Sequence, residues 1–213
     1  MIEIRHVKSG KPMLRCKRAV LGALNLDGID LRGADFCSQN IAGSTLTSCD
    51  LSSARFSNAD LRGVRIRNCI LTECDFSEAN LMEVNVADSI IGKGVFKKVN
   101  LERAAMIRIK LKNCNFWDAF CDSCDFSFSD LSNSDFRYSN LTSVNFSHAN
   151  LLGCDFTEAD LRQAKMAHAN IDGAVFLHAK MQGSIGVNGE PWGVTARNIP
   201  KPKSKPNRFW SRT

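Results

Sequence analysis

The stretch Ala149-Asn150-Leu151-Leu152-Gly153-Cys154-Asp155-Phe156-Thr157-Glu158-Ala159-Asp160-Leu161 holds three copies of one short pattern. A small residue comes first, then Asp or Asn, then Leu or Phe, then two residues that are polar, glycine or otherwise variable. The same pattern extends outward in both directions. From Leu21 to Met181 every fifth residue is apolar, thirty-three positions without an insertion or deletion: 14 Leu, 10 Phe, 4 Ile, 3 Met, Val86 and Cys121. Neither a period of 3.6 nor one of 2 accounts for this spacing, so it is neither an amphipathic helix nor an ordinary alternating strand. A fixed internal period marks a repeat architecture.

A slower period lies above the first. Phe36, Phe56, Phe76, Phe96, Phe116, Phe136, Phe156 and Phe176 recur every twenty residues. A residue type returns when the chain regains the same face, so four units make one turn. Two residues before each apolar centre the side chain is small: 13 Ala, 6 Cys, 5 Ser, 4 Val and Gly94 fill 29 of the 33 positions. Leu24, Ile29, Gln39 and Ile109 are the exceptions. Interiors pack at crystal-like density, so a Leu or Phe on each inner wall leaves room only for a small neighbour. Asp and Asn just before the centre bond to nearby backbone and suit a chain that bends at every unit.

This pattern resembles that of the pentapeptide-repeat family, over 161 of the 213 residues. The resemblance implies an all-β fold: a right-handed, four-sided parallel β-helix of about eight coils. The apolar centre and the small residue would point inward and the other three residues outward. At roughly 4.8 Å per coil the rod would be about 40 Å long. Each buried Phe should contribute about 1.5–3 kcal/mol.

The ends are different material. Ile2 to Val7 alternates and Met13 to Cys16 suits a returning strand, so residues 1–16 are expected to form a β-hairpin cap. A solenoid needs one, because a bare end exposes core and unpaired strand groups. Residues 17–183 form the array. Residues 184–213 follow as a cap turn, with Trp192 placed to cover the last coil, and a basic tail rich in Pro and Lys. On composition that tail reads as extended or disordered, or as a segment laid along the rod through Phe209 and Trp210.

Charge divides along the same boundaries. The array holds 18 basic and 20 acidic residues, whereas residues 1–16 carry four basic and one acidic and residues 184–213 six and one. One coil departs from this balance: Lys93, Lys97, Lys98, Arg103, Arg108, Lys110 and Lys112 are opposed within it by Glu102 alone, in a belt that touches all four faces. Arg62, Arg65 and Arg67 add to it two coils earlier. Ile90, Val95, Ala105 and Lys110 stand there in place of Asp or Asn. The belt is either a solvated surface or an attractor of phosphate, nucleic acid or acidic protein. Four aromatics face outward: Phe120, Trp117 between Lys97 and Arg137, Phe128 between Arg108 and His148, and Tyr138. They read as cation–π decoration or as a binding patch. The candidate surface is therefore Lys97, Lys98, Arg103, Arg108, Lys110, Lys112, Trp117, Phe128, Arg137 and Tyr138, and the candidate tail contacts are Lys201, Lys203, Lys205, Arg208 and Trp210.

Catalytic and metal chemistry find little purchase. Cys121-Asp122-Ser123-Cys124 has redox or zinc spacing, yet both thiols fall on inward registers, where packing explains them. His148 and His168 stack on one outer face, and no carboxylate in their column completes a metal site. Neither a Gly-rich phosphate loop nor a nucleophile–base grouping occurs, so no enzyme activity, cofactor or small-molecule substrate is expected. Of the nine cysteines six take the small inner position and Cys121 a centre, while Cys16 precedes the array and Cys37 faces out; so many free thiols favour a reducing compartment, and with no membrane span or signal-peptide core the expected location is the cytoplasm. The leading expectation is a non-enzymatic scaffold whose outer faces or basic tail bind a macromolecular partner, first of all a protein. Direct binding of nucleic acid or an anionic surface is one alternative. The other comes from the resemblance: some family members mimic DNA, bind type II topoisomerases such as gyrase and confer quinolone resistance. Those are acidic rods that dimerise through a C-terminal helical segment, and this chain departs from them on both counts.

Overall fold

A computed structural model describes residues 2–16 and 23–192. The candidate tail contacts Lys201, Lys203, Lys205, Arg208 and Trp210, together with Phe209 and the centre at Leu21, lie outside the described residues.

The backbone regains the same face every twenty residues, as the spacing predicts. Parallel bridges join each residue before an apolar centre to its equivalent one coil later, from Asp30 and Asp50 through to Lys165 and Ile185. Each coil therefore satisfies its neighbour: Leu31 N donates to Asp50 O at 2.8 Å, and Arg55 N donates back to Ala34 O at 2.9 Å. The four walls follow in order along each coil. The first runs through Leu26, Leu46, Ile66 and Val86 to Met166, and the second through Leu31 to Ile171. The third carries the Phe column, and the fourth runs through Ile41 to Met181. On the first wall the early coils form true strands, β3 (Asn25–Asp27), β5 (Thr45–Thr47), β6 (Arg65–Arg67) and β7 (Asn85–Ala87), paired in parallel in the order β3-β5-β6-β7. Elsewhere the walls are single bridges between turns.

Those turns explain what the pattern's last two positions must supply. Ala34 N donates to Leu31 O at 3.0 Å across a four-residue turn, with Gly33 at φ +65. A positive φ at the third residue alone marks a type II turn. Residues at this register have φ > 0 in all thirty-three units from Ala23 to Gly183, 26 of them not glycine. No Val, Ile or Thr occupies the register, since branching at Cβ clashes in the left-handed region. In 18 units the Asp or Asn side chain accepts the backbone N–H two residues on, which fixes the entry to the bend.

The interior is filled. The eight rings of the Phe column stack in register at 4.6–5.2 Å between centroids, with planes within 15°. Phe126 and Phe146 meet them edge-on from the first wall at 5.8–6.3 Å. Ala is the commonest residue at the small inner positions, but Cys and Ser there also donate. Cys74 Sγ reaches Leu51 O at 3.0 Å, Cys114 Sγ reaches Ile91 O at 2.9 Å, Cys154 Sγ reaches Leu131 O at 3.1 Å and Ser129 Oγ reaches Met106 O at 2.7 Å. Each donor serves a carbonyl of the coil beneath. Among the described residues no buried side-chain nitrogen or oxygen lacks a partner, as a low-dielectric core requires.

Both ends of the described array are covered. β1 (Ile2–His6) and β2 (Pro12–Cys16) form the expected antiparallel hairpin, and β1 pairs in turn with β4 (Ala34–Asp35) of the third wall. Ile4 is buried against the core. His6 lies so close to Gly33 that a Cβ there would meet Nε2 at 2.9 Å, so the imidazole favours glycine at a φ that other units reach without it. At the far end Ile185 bridges Pro191 antiparallel, and Trp192 sets its ring edge-on to Phe176 at 5.5 Å.

Candidate interaction surface

With the core filled, the side chains left for work are the three outward residues of each unit. The expected surface divides between walls. Phe128 lies on the first wall and Tyr138 on the third, ten residues and therefore half a coil apart, so they face opposite ways. Both rings are about half exposed, 51% and 53%.

On the first wall the sequence-predicted neighbours meet. The Arg108 guanidinium lies over the Phe128 ring at 5.4 Å, Phe128 stacks on His148 at 4.6 Å and 5°, and His148 stacks on His168 at 4.8 Å and 24°. On the third wall the expectation needs correction. Trp117 holds the register between Lys97 and Arg137, but the cation over its ring is not Lys97. Lys98 Nζ lies over it at 5.9 Å, and Tyr138 meets it edge-on at 6.0 Å. Arg137 is held elsewhere: it forks onto the buried Asp135 with Nε–Oδ1 at 2.9 Å and Nη2–Oδ2 at 2.7 Å. Two residues apart across a turn, the carboxylate and guanidinium are placed for a bidentate pair, which raises the Arg137 pKa. The same fork joins Arg32 to Asp30, Arg62 to Asp60 and Arg162 to Asp160, and in each case the arginine pulls the carboxyl below its ordinary range. An Asp-x-Arg spacing signals this in the sequence.

The basic belt is also less free than a count within one coil suggests. Adjacent coils bring carboxylates to it: Lys93 pairs with Glu73 at 3.2 Å and Lys112 with Asp130 at 3.0 Å, while Arg103 lies 3.9 Å from Glu83 and 3.6 Å from Glu102. Glu102 is thus not the belt's lone opponent. The carboxylates that decide lie one coil away in space and eighteen or twenty residues away in sequence. Lys97, Lys98, Arg108 and Lys110 have no carboxylate within 4 Å among the described residues.

The thiols are core. Cys121 and Cys124 are both buried, and Cys124 Sγ donates to Leu101 O at 2.6 Å. Burial, and then the bond to Cys121, push the Cys124 thiol well above its ordinary pKa, so it stays protonated and unreactive. Burial likewise pushes Cys74, Cys114 and Cys154 up to about 12. Among the described residues no group of three or more His, Cys, Asp or Glu could hold a metal ion, and no helix is long and apolar enough to cross a membrane.

The five-residue register agrees with a family model. A family model described as pentapeptide repeats (8 copies) matches residues 15–52, 29–68, 59–91, 79–118, 104–140 and 139–176. No curated protein matches the chain. Among solved structures it is similar to HetL, a pentapeptide repeat protein involved in heterocyst differentiation regulation from the cyanobacterium Nostoc sp. Strain PCC 7120, with 22% identity, a TM-score of 0.34, and 80% of this chain and 92% of that one covered. It is similar to QnrB1, a plasmid-mediated fluoroquinolone resistance protein, with 16% identity, a TM-score of 0.37, and 79% and 86% covered. Rfr23, a pentapeptide repeat protein from the cyanobacterium Cyanothece 51142, follows at 15% identity and a TM-score of 0.14, with 81% and 87% covered. The unbroken five-residue register, the twenty-residue coil and the family match over most of the chain make this protein a member of the pentapeptide-repeat family, with the right-handed quadrilateral β-helix of that family.

Proposed function

We propose that the protein is a non-enzymatic interaction scaffold, a rigid rod whose outer walls hold a macromolecular partner, in the first instance a protein. One observation carries this reading. Phe128 and Tyr138 sit at φ 60 and φ 62, in the left-handed register that the other units fill with Gly, small, polar or charged residues. A Cβ-bearing residue there costs about 1–2 kcal/mol. All 26 non-glycine units bear that cost, so strain does not set these two apart; what does is an aromatic ring left half in water, the kind of side chain that binding surfaces enrich. The filled interior supports the same reading, because it leaves substrate chemistry no enclosed place. The eight described free thiols support a reducing compartment such as the cytoplasm.

Affinity capture from the native host tests it, using the full chain, a Phe128→Ser/Tyr138→Ser variant, and a variant with Lys201, Lys203, Lys205 and Arg208 changed to Gln and Trp210 to Ala. The partner should disappear with the first variant and persist with the second. Loss with the tail variant alone would move the function to the C-terminal segment. A partner that survives both variants would defeat the reading. A captured nucleic acid whose binding falls steeply with salt would replace it by direct phosphate binding.

A further inference from the structure

We propose that the first wall is a docking surface for an extended acidic peptide segment, a proposal that rests on the scaffold reading and names its wall and its ligand chemistry. The four walls are not electrostatically alike. From residue 23 to residue 183 the first wall carries four basic residues, Arg65, Arg67, Arg108 and Lys165, against three acidic ones, Asp27, Asp88 and Asp125. Each of the other walls has an excess of acid, and the third, directly opposite, has seven acidic residues against four basic.

Pairing separates the walls further. Among the described residues none of the four cations of the first wall has a carboxylate within 4 Å, whereas all four of the fourth wall do: Arg62 with Asp60, Arg103 with Glu83 and Glu102, and Arg162 and Lys180 with Asp160. Arg108 shares its column with Asp88 below, yet it lies over Phe128 above. The first wall thus presents unneutralised positive charge beside an exposed aromatic column, the combination that binding surfaces enrich.

The form of the column selects the ligand. Both faces of Phe128 are taken, by Arg108 and by His148, and both faces of His148 by Phe128 and His168. A nucleobase needs an open ring face on which to stack. Ring edges are what remain, and the edge is the positive part of the ring quadrupole. Edges and guanidinium groups together suit carboxylates. Arg65 and Lys165 are five coils apart, about 24 Å at ~4.8 Å per coil, a span that about seven or eight extended residues cover. The chain's own terminal segment is not the occupant, since residues 193–213 hold six basic residues and no acidic one.

The test is a fluorescence titration of the full chain with its tail charges neutralised (Lys201→Gln, Lys203→Gln, Lys205→Gln, Arg208→Gln), at about 50 mM salt, where exposed charges are weakly screened. The probes are labelled ten-residue peptides, one of alternating Glu and Asp and one of alternating Gln and Asn, and a ten-nucleotide oligothymidine. The acidic peptide should bind and the amide peptide should not. Arg65→Gln/Arg67→Gln/Arg108→Gln should weaken binding about tenfold, while Arg62→Gln/Arg103→Gln on the fourth wall should change it by less than about twofold. Melting curves confirm that both variants are folded. The proposal is overturned if the acidic peptide does not bind, if the fourth-wall variant loses as much as the first-wall one, or if oligothymidine binds more tightly than the peptide. A failed titration beside an intact captured partner would remove the first wall and leave the scaffold standing. Failure of both would remove both.

Discussion

The guanidinium of Arg108 lies 5.4 Å from the centre of the Phe128 ring, across the gap between two coils, while Phe128 itself holds φ 60. Two opposed energies meet at this residue. The ring gains about 0.5–1 kcal/mol from the exposed cation and about 0.5–1.5 kcal/mol from stacking on His148. The left-handed backbone takes back about 1–2 kcal/mol. Phe128→Asn removes both, since Asn tolerates that backbone. Its unfolding free energy should therefore stay within about 1 kcal/mol of the parent while partner binding is lost. A denaturant titration showing a loss of more than about 2 kcal/mol would make Phe128 a structural residue.

Gly94 is the one glycine at the small inner register, and a Cβ built on it would lie 2.8 Å from Phe96 Cε2 and 3.2 Å from Ile91 Cγ2. Neither neighbour has room to retreat, because Phe96 is stacked at 4.9 Å on Phe76 and at 4.6 Å on Phe116. Gly94→Ala, although Ala is the commonest residue at this register, should cost about 1–3 kcal/mol by overpacking. Phe96→Leu is destabilising alone but should make Gly94→Ala less costly in its background. A double-mutant cycle with no coupling would show that the contact does not limit the site.

Nearly all of the fold is legible in the sequence, because a five-residue register leaves no freedom in which side chains face inward. What stayed hidden was set by residues twenty apart, or by backbone rather than side chains. The left-handed turns leave only an indirect trace, the absence of Val, Ile and Thr at one register. The ion pairs of Lys93 and Lys112 come from other coils, Glu73 lying twenty residues before Lys93 and Asp130 eighteen after Lys112, so a count within one coil overstated the belt. Trp117 shows the limit of column reasoning. Its partners Lys98 and Tyr138 are diagonal neighbours, and the Asp135 fork had already taken Arg137 out of the column.

The buried thiols make stability sensitive to alkali. Burial raises Cys69 from its ordinary 9.0 to about 11, and Cys74, Cys114 and Cys154 to about 12. A folded pKa above the unfolded one means that the unfolded chain loses its proton first. The stabilisation is full below pH 9 and is lost as pH rises from there towards 11–12. Each thiol contributes a slope of up to about 1.4 kcal/mol per pH unit in that window. Melting temperature should fall steeply above pH 9, and Cys74→Ala/Cys114→Ala/Cys154→Ala should flatten the fall while lowering stability at pH 7. An unchanged alkaline slope in that variant would assign the loss to other groups. In the native protein at pH 8, Cys37, partly exposed where the other three are buried, should be alkylated before any of them.

Trp192 closes the far end of the column by meeting Phe176 edge-on at 5.5 Å, and its indole packs so tightly on Gly186 that a Cβ there would come within 3.0 Å. Its backbone N–H also returns to Ser184 O at 2.9 Å. In a solenoid each coil depends chiefly on its neighbours, so damage at one end should not travel far. Trp192→Ala keeps the backbone bond and removes the lid. Amide exchange should accelerate through the last coil, from Met166 to Ile185, while coils built on Phe96 and Phe116 keep their protection. Uniform acceleration along the rod would mean that the coils unfold as one cooperative unit and that the lid stabilises all of them. Unchanged exchange in the last coil would mean that the indole, though in contact with Phe176, is not what keeps that coil closed.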